Sequence, residues 1–377
     1  MLNVKNRNIG LDILRSIAVW NVLLMHLAIV LNAAQIIPIV WLPLPDGVDL
    51  FFVLSGYLIG KIMLRNFIAE NNTNIGIVRF VVSRWFRTLP NYYFLTFIVF
   101  ALTVLTTRHF FIPIYNLTFT QSISPKIFNF YAETWSLCIE EWYYVLIPFL
   151  IFIVTVGNKN KLTEKHFLLI IMSIIIVSPF IRYFYATDFL YINAKSFFDY
   201  RMITFIRLDA IAYGTLMAYI STKYSSTVVK YRNYLFYIGF VILALNTIYL
   251  FFILNNYIKP PHVYITNFNF IFNSIGILLM LPKIETIQLK QPLLVRFFTT
   301  TSIISYSMYL LQMTIVLRIC ILIFMAVASV NLFNVIVFVI VYVFIVYILS
   351  YYNYKFIELP FLKYRDKILS KYFNANK

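Results

Sequence analysis

Apolar runs of about 20 residues recur from one end of this chain to the other, and a helix rising about 1.5 Å per residue needs roughly that many to cross about 30 Å of hydrocarbon. A backbone inside a bilayer has to satisfy its own hydrogen bonds, so runs of this length form helices rather than loops or open strands. The predicted spans are 11–31, 48–66, 90–107, 135–156, 167–185, 201–221, 234–254, 267–282, 303–325 and 333–354. At 62% hydrophobic and 12% charged, the chain has little material for a soluble domain. The expectation is an all-α integral membrane protein of about ten transmembrane helices. It is expected to form one membrane domain over residues 1–377, with no fused extracytoplasmic domain.

A formal charge of +17 would suit a nucleic-acid partner, but lysines and arginines alternate between loops as the positive-inside rule requires. Arg15, Lys61, Arg65, Arg84, Arg87, Lys223, Arg232, Lys283, Lys290, Lys363 and Lys371 collect at inner ends, against Arg108, Arg182, Arg201, Arg207, Lys259 and Arg318 in the outer half. Both termini are then cytoplasmic, and the charge reports a lipid bilayer rather than nucleic acid as the partner. Cys138 and Cys320 fall inside predicted helices, which argues against a disulfide framework or a metal site. The first apolar segment follows Lys5 and Arg7 as a signal peptide would, yet it carries Asp12, Arg15 and His26 and lacks a small-residue cleavage site. A retained first helix is the better reading.

Between the spans, the stretch 67–89 with its basic run from Val78 is expected to lie as an amphipathic helix on the inner surface, and Pro90 to start or kink the third span. Arg108 to Thr134 is the longest outer connection, and its Tyr115, Phe119, Phe128, Phe130 and Tyr131 suit a membrane-surface position and a lid over a site. Asn116-Leu117-Thr118 matches a glycosylation acceptor, a signal too short to carry weight alone.

Ionisable residues within spans cost roughly 2.5 to 3.5 kcal/mol each on insertion scales, which makes each one a functional candidate. Arg15 and His26 are eleven residues apart, so at 100° per residue their directions differ by only about 20°. They share a face, separated by roughly 16 Å along the axis, and so join the inner end of the first helix to its outer third. Taken singly, Arg15 could snorkel to lipid phosphate and His26 could be a hydrogen-bonded core histidine.

In the second span Asp49 enters from the outer side at a depth comparable with His26, and Arg207 is its candidate partner, with Asp209 a competitor. A structural ion pair and a substrate contact both remain open for Asp49 and Arg207. Trp135-Ser136-Leu137-Cys138-Ile139-Glu140-Glu141-Trp142-Tyr143-Tyr144 brings two carboxylates below the outer surface, with Ser136, Glu140 and Tyr144 on one face. Glu140 beside His26 would hold its tautomer and stabilise an imidazolium, which makes a general-base pair. Arg84 and Arg87, one turn apart at the inner end, form a clamp for a phosphorylated ligand, although inner-surface arginines without further context more often meet anionic lipid heads.

These motifs resemble the membrane acyltransferase 3 family over most of the chain. Leu11 to Val19 is followed by His26, then come Gly47 to Tyr57, Ser83-Arg84-Trp85-Phe86-Arg87 through Pro90 and Tyr93, Trp135 to Tyr144, Arg207 to Gly214, Ser305 to Leu310, and Ile357-Glu358-Leu359-Pro360. The specificity lies in their combination and order. The resemblance implies acyl, first of all acetyl, transfer from cytosolic acetyl-CoA to a hydroxyl of an envelope carbohydrate such as lipopolysaccharide O-antigen or an exopolysaccharide, without a metal. It implies His26 and Glu140 at the chemistry and Arg15, Arg84 and Arg87 on the donor; the residues themselves make Asp49, Arg207, Glu141 and Tyr144 the candidates for substrate binding. It also implies a bacterial inner-membrane location and a lipid-linked or free glycan acceptor, and it leaves a homo-oligomer open. Many members have histidine where this chain has Gln312, and some carry a fused extracellular esterase-like domain for which these spans leave no room. The rival from another class is a transporter or polysaccharide exporter, since intramembrane charges also line translocation paths.

Overall fold

The structure is a computed structural model and describes residues 7–39, 41–68, 73–124, 130–156, 162–186, 194–259, 261–327 and 329–373. Lys5 and Phe128 fall outside them. The helices are α1 (Ile9–Ala33), α2 (Gly47–Met63), α3 (Thr73–Thr107), α4 (Ile114–Leu117), α5 (Trp135–Val156), α6 (Glu164–Tyr185), α7 (Ala194–Arg201), α8 (Leu208–Lys223), α9 (Ser225–Leu254), α10 (Asn269–Ile284), α11 (Pro292–Leu311), α12 (Arg318–Val327), α13 (Leu332–Asn353) and α14 (Leu359–Phe373). Among the described residues, nine helical stretches are long and apolar enough to cross a membrane. The protein is an all-α multi-pass membrane protein.

Local chemistry starts these helices where the sequence offers a cap. The Asn8 side chain accepts the Leu11 N–H at 3.0 Å and Asp12 occupies the first turn of α1. Asp46 accepts the Val48 N–H at 2.9 Å to open α2, and Asn331 accepts the Asn334 N–H at 2.9 Å to open α13. Pro292 begins α11, where its missing N–H has no helical partner to lose.

Three departures from the sequence reading have physical causes. The described part of 67–89 that reaches Pro90, residues 73–89, does not form a separate surface helix, because α3 runs unbroken through Pro90 over 35 residues. Nearby hydroxyls occupy carbonyls around the proline: Thr88 donates to the Arg84 oxygen at 3.2 Å, and Tyr306 to the Thr88 oxygen at 2.9 Å. The last predicted span, 333–354, does not end there, since one π-helical turn over 354–358 carries it on into the basic helix α14. The connection from Arg108 to Thr134 is not a surface layer throughout its described residues, for Phe119, Phe130 and Tyr131 are buried, whereas Phe110, Ile112 and Tyr115 are exposed. Phe119 stacks on Tyr92 with centroids 4.4 Å apart, and its carbonyl accepts from Trp142 Nε1 at 2.8 Å. Asn116 is buried, which removes it as a glycosylation acceptor in this fold.

The centre of the bundle is the packing of α2 on α8, a helix of only 16 residues that also rests on α6 and α10. Gly56 and Gly214 allow it. A Cβ on Gly56 would meet the Ile211 oxygen at 1.9 Å, and one on Gly214 would meet the Val53 oxygen at 1.9 Å. Backbones approach this closely only where small residues face each other, the usual device of membrane helices, which have no water to drive them together. The outer shell is made by α6, α9 and α13, with Phe180, Leu245 and Phe344 exposed toward the apolar surround.

Replacing Gly214 with Ala places carbon against a backbone oxygen that cannot rotate away, so the cost should reach or pass the upper end of the about 1–3 kcal/mol typical of overpacking. Thermal unfolding in detergent should show a clearly lowered Tm. An unchanged Tm would mean that α2 and α8 do not meet in this register.

Candidate functional site

Two cavities lie end to end along α1, and the side chains that line them differ in charge. The first, of about 390 Å³, is walled by α1, α2, α3, α5 and α11. Arg15, Arg84, Arg87, Lys61, Glu140 and Tyr144 reach it. Arg84 and Arg87 are one turn apart on α3, so both guanidinium groups leave the helix on the same side. Among the described residues, Arg15, Arg84 and Arg87 form no ion pair, whereas Lys61 is paired with Glu285, which also accepts from the Tyr57 hydroxyl at 2.6 Å. Arg84 Nε is buried with no hydrogen-bond partner. The one carboxylate in this cavity, Glu140, accepts from Ser55 at 3.2 Å and Tyr144 at 2.8 Å. Guanidinium thus outnumbers carboxylate in a partly desolvated space, where attraction for an anion is much stronger than in water. Phosphate oxygens are the natural complement to forked N–H donors.

The second cavity, of about 190 Å³, holds His26, Asp46, Glu133, Trp135, Phe198 and Arg201 in its wall. His26 Nδ1 is hydrogen-bonded to the Gln312 amide. Glu133 sits on the single 3₁₀ turn that precedes α5 and is 1% exposed. Its carboxylate accepts the Thr314 N–H at 3.0 Å and the Thr314 hydroxyl. Gln312 and Thr314 belong to a π-helical turn over 312–317, which widens the helix between α11 and α12 and turns successive residues toward the cavity. Arg201, at the end of α7, is paired with Asp46 and lies between Trp41 and Trp135, 5.5 and 5.1 Å from their rings.

The cavities meet at Val48, which lines both, and the neighbours Trp135 and Ser136 line one each. Tyr309 spans the junction: its hydroxyl contacts Ser136 and donates to the Glu133 carbonyl at 2.7 Å. Chemically, the arrangement offers an anion site, a narrow junction, and beyond it an imidazole in a pocket with a buried carboxylate.

Several sequence-derived positions are brought together. Arg15, Arg84 and Arg87 share a cavity, as do Ser136, Glu140 and Tyr144. Others are not. Glu140 does not accompany His26 but lines the arginine cavity, and the carboxylates beside His26 are Glu133 and Asp46. The expected His26–Glu140 pair is therefore corrected: α5 begins only at Trp135, and Glu140 is more than one turn further along it, on the far side of the junction. Glu133 escaped notice as the apparent end of a loop; the signal was an acidic residue two positions before the Trp-Ser-Leu motif. Glu141 accepts from Thr88 at 2.7 Å and lines a separate cleft with Trp85, Tyr93 and Trp142.

Asp49 and Arg207 are paired with each other and line none of these cavities. Asp49 also accepts from Asn273 at 2.9 Å, and the competitor Asp209 is gripped by Arg182 through bonds of 2.9 and 2.6 Å. The geometry is that of ion pairs joining helices, not of groups turned toward a substrate.

Residues 8–355 match the model of the acyltransferase 3 family, described as an acyltransferase domain. Among curated proteins, the O-acetyltransferase OatA of Staphylococcus aureus (strain NCTC 8325 / PS 47) is 28% identical over 228 residues, which cover 56% of this chain and 34% of OatA. OatA of Staphylococcus aureus (strain COL) matches over the same extent. A protein of Bacillus subtilis (strain 168), provisionally named peptidoglycan O-acetyltransferase YrhL, is 28% identical over 207 residues, or 48% of this chain and 30% of YrhL. The chain spans about a third of the length of these relatives. No solved structure matches it.

The Asp49–Arg207 pair can be tested directly. Asp49→Ala leaves a buried guanidinium uncompensated and should cost about 3–5 kcal/mol. The double variant Asp49→Asn with Arg207→Gln should recover much of the folded yield, read by size exclusion in detergent. Loss without recovery would instead indicate that each residue is needed for a separate reason.

Proposed function

The chain belongs to the acyltransferase 3 family, and on that premise we propose that it is an O-acetyltransferase moving an acetyl group from acetyl-CoA to a hydroxyl of an envelope glycan. The observation that carries this reading is the junction of a cavity lined by three arginines, which form no ion pair among the described residues, with one that holds an imidazole. Arg15, Arg84 and Arg87 would take the phosphates of the donor, entering from the side that the positive-inside pattern makes cytoplasmic. The donor's extended arm would pass Val48, Ser136 and Tyr309 to present its thioester to His26. Glu140 offsets part of the arginine charge, and Tyr144 orients it by its hydrogen bond.

His26 then accepts the proton of the acceptor hydroxyl as that oxygen attacks the acetyl carbonyl. A new C–O bond forms, the C–S bond breaks from the tetrahedral intermediate, and the leaving sulfur takes the proton back from the imidazolium. Glu133, a carboxylate in the same cavity, favours the transient positive charge on the ring. Asp46, Arg201 and the aromatic Trp135 and Phe198 offer polar groups and flat apolar faces of the kind that hold a sugar. The chain lies in the cytoplasmic membrane in this reading. For the acceptor, the name of the Bacillus relative puts peptidoglycan first. Lipopolysaccharide O-antigen and exopolysaccharide are the further candidates.

Purified protein supplied with acetyl-CoA and a soluble glycan acceptor should release free thiol, which a transporter would not. His26→Ala should lower turnover by about 10²-fold or more while the protein still folds. Replacing Arg84 and Arg87 by Gln should raise the apparent KM for acetyl-CoA about tenfold or more, each lost charge-assisted hydrogen bond contributing about 1.5–3 kcal/mol. An unaltered donor KM would return these arginines to lipid headgroups. In cells, O-acetyl groups on peptidoglycan should disappear with the gene; a loss confined to another envelope glycan would reassign the acceptor.

A further inference from the structure

The one hydrogen bond that the His26 ring makes among the described residues determines which of its nitrogens can act. Gln312 is fully buried, and its amide lies between His26 Nδ1 and the hydroxyl of Tyr342, itself fully buried on α13. As oriented, the Gln312 NH₂ faces Nδ1, and its Oε1 accepts from Tyr342 at 3.4 Å. An N–H pointed at Nδ1 requires a lone pair there, so a neutral ring carries its proton on Nε2. In that tautomer the free nitrogen is a donor and cannot take a proton from a hydroxyl.

A half-turn of the amide reverses the pattern. Oε1 then accepts from Nδ1–H, the NH₂ donates to the Tyr342 oxygen, and Nε2 presents a lone pair. A phenolic hydroxyl both donates and accepts, so Tyr342 satisfies the amide in either orientation. Exchange with water moves the ring proton from Nε2 to Nδ1 with no change in net charge.

We propose that Gln312, backed by Tyr342, is the positioning residue that sets the tautomer of His26, and that rotation of its amide converts the ring from hydrogen-bond donor to proton acceptor. This rests on the reading of His26 as the proton acceptor, but it can be tested without substrate. The chain has four histidines, so ¹⁵N spectra of imidazole-labelled, detergent-solubilised protein can be assigned by the signals lost in His26→Ala. Wild-type His26 should show the Nε2–H tautomer in part or whole. Gln312→Glu, whose carboxylate only accepts, should shift it to Nδ1–H. Gln312→Leu should remove the preference and lower kcat about tenfold or more, with the KM for acetyl-CoA unchanged and with Gln312→Glu restoring turnover.

A tautomer that is the same in wild type and Gln312→Glu overturns the proposal, as does full turnover in folded Gln312→Leu. If Gln312→Leu does not fold, the Gln312→Glu spectrum decides alone. Wild-type protein that never consumes acetyl-CoA counts against acyl transfer, while the spectra still decide the role of Gln312.

Discussion

A charge buried in hydrocarbon has to be neutralised by the protein, and the way each is neutralised organises this molecule. Asp49 with Arg207, Asp209 with Arg182, and Asp46 with Arg201 join α2, α6, α7 and α8 across their contacts. Those pairs lock the register in which Gly56 and Gly214 bring two backbones together, and that register in turn fixes the wall against which α1 and α5 pack. Arg15, Arg84 and Arg87 stand apart because no carboxylate among the described residues closes on them, although Glu140 shares their space. The contrast separates charges that build the bundle from charges left to meet a ligand.

Interruptions of helical geometry do comparable work at the second cavity. The wide turn over 312–317 presents Gln312 to His26, Met313 to the cavity and Thr314 to Glu133 within three consecutive residues, a spread of directions that a regular helix cannot supply. Its neighbours give it a rigid seat: Tyr342 stacks near Phe338, and the Tyr131 hydroxyl donates to the Leu310 carbonyl at 2.6 Å just before the turn begins. The burial of Phe119, Phe130 and Tyr131 between α3 and α5 belongs to the same device, since it helps deliver Glu133 and Trp135 to the site from a segment that looks like a loop.

Much of this was legible in the residues themselves. Apolar length announced the spans, because hydrocarbon thickness leaves a helix few choices, and the ionisable residues inside them announced the sites, because their cost demands a reason. The eleven-residue spacing of Arg15 and His26 correctly joined two polar regions along one helix, as both residues line adjoining cavities. The helical spacing of Ser136, Glu140 and Tyr144 likewise put all three on one wall. These are periodicity arguments, and periodicity is a property of one helix.

Partnership between helices is not. Whether Arg207 meets Asp49 or Asp209, and whether His26 meets Glu140 or Glu133, depends on the axial offset of one helix against another, which two glycines and a few ion pairs decide and no single segment encodes. The same holds for Pro90, past which α3 continues unbroken while a hydroxyl from a distant segment, that of Tyr306, donates to the Thr88 carbonyl beside it. The sequence by itself therefore determined the membrane, the helices and which residues were costly enough to matter. Only the tertiary structure decided which of them stand together, because that choice is made by packing between distant segments, where an offset of a single turn exchanges one carboxylate for another.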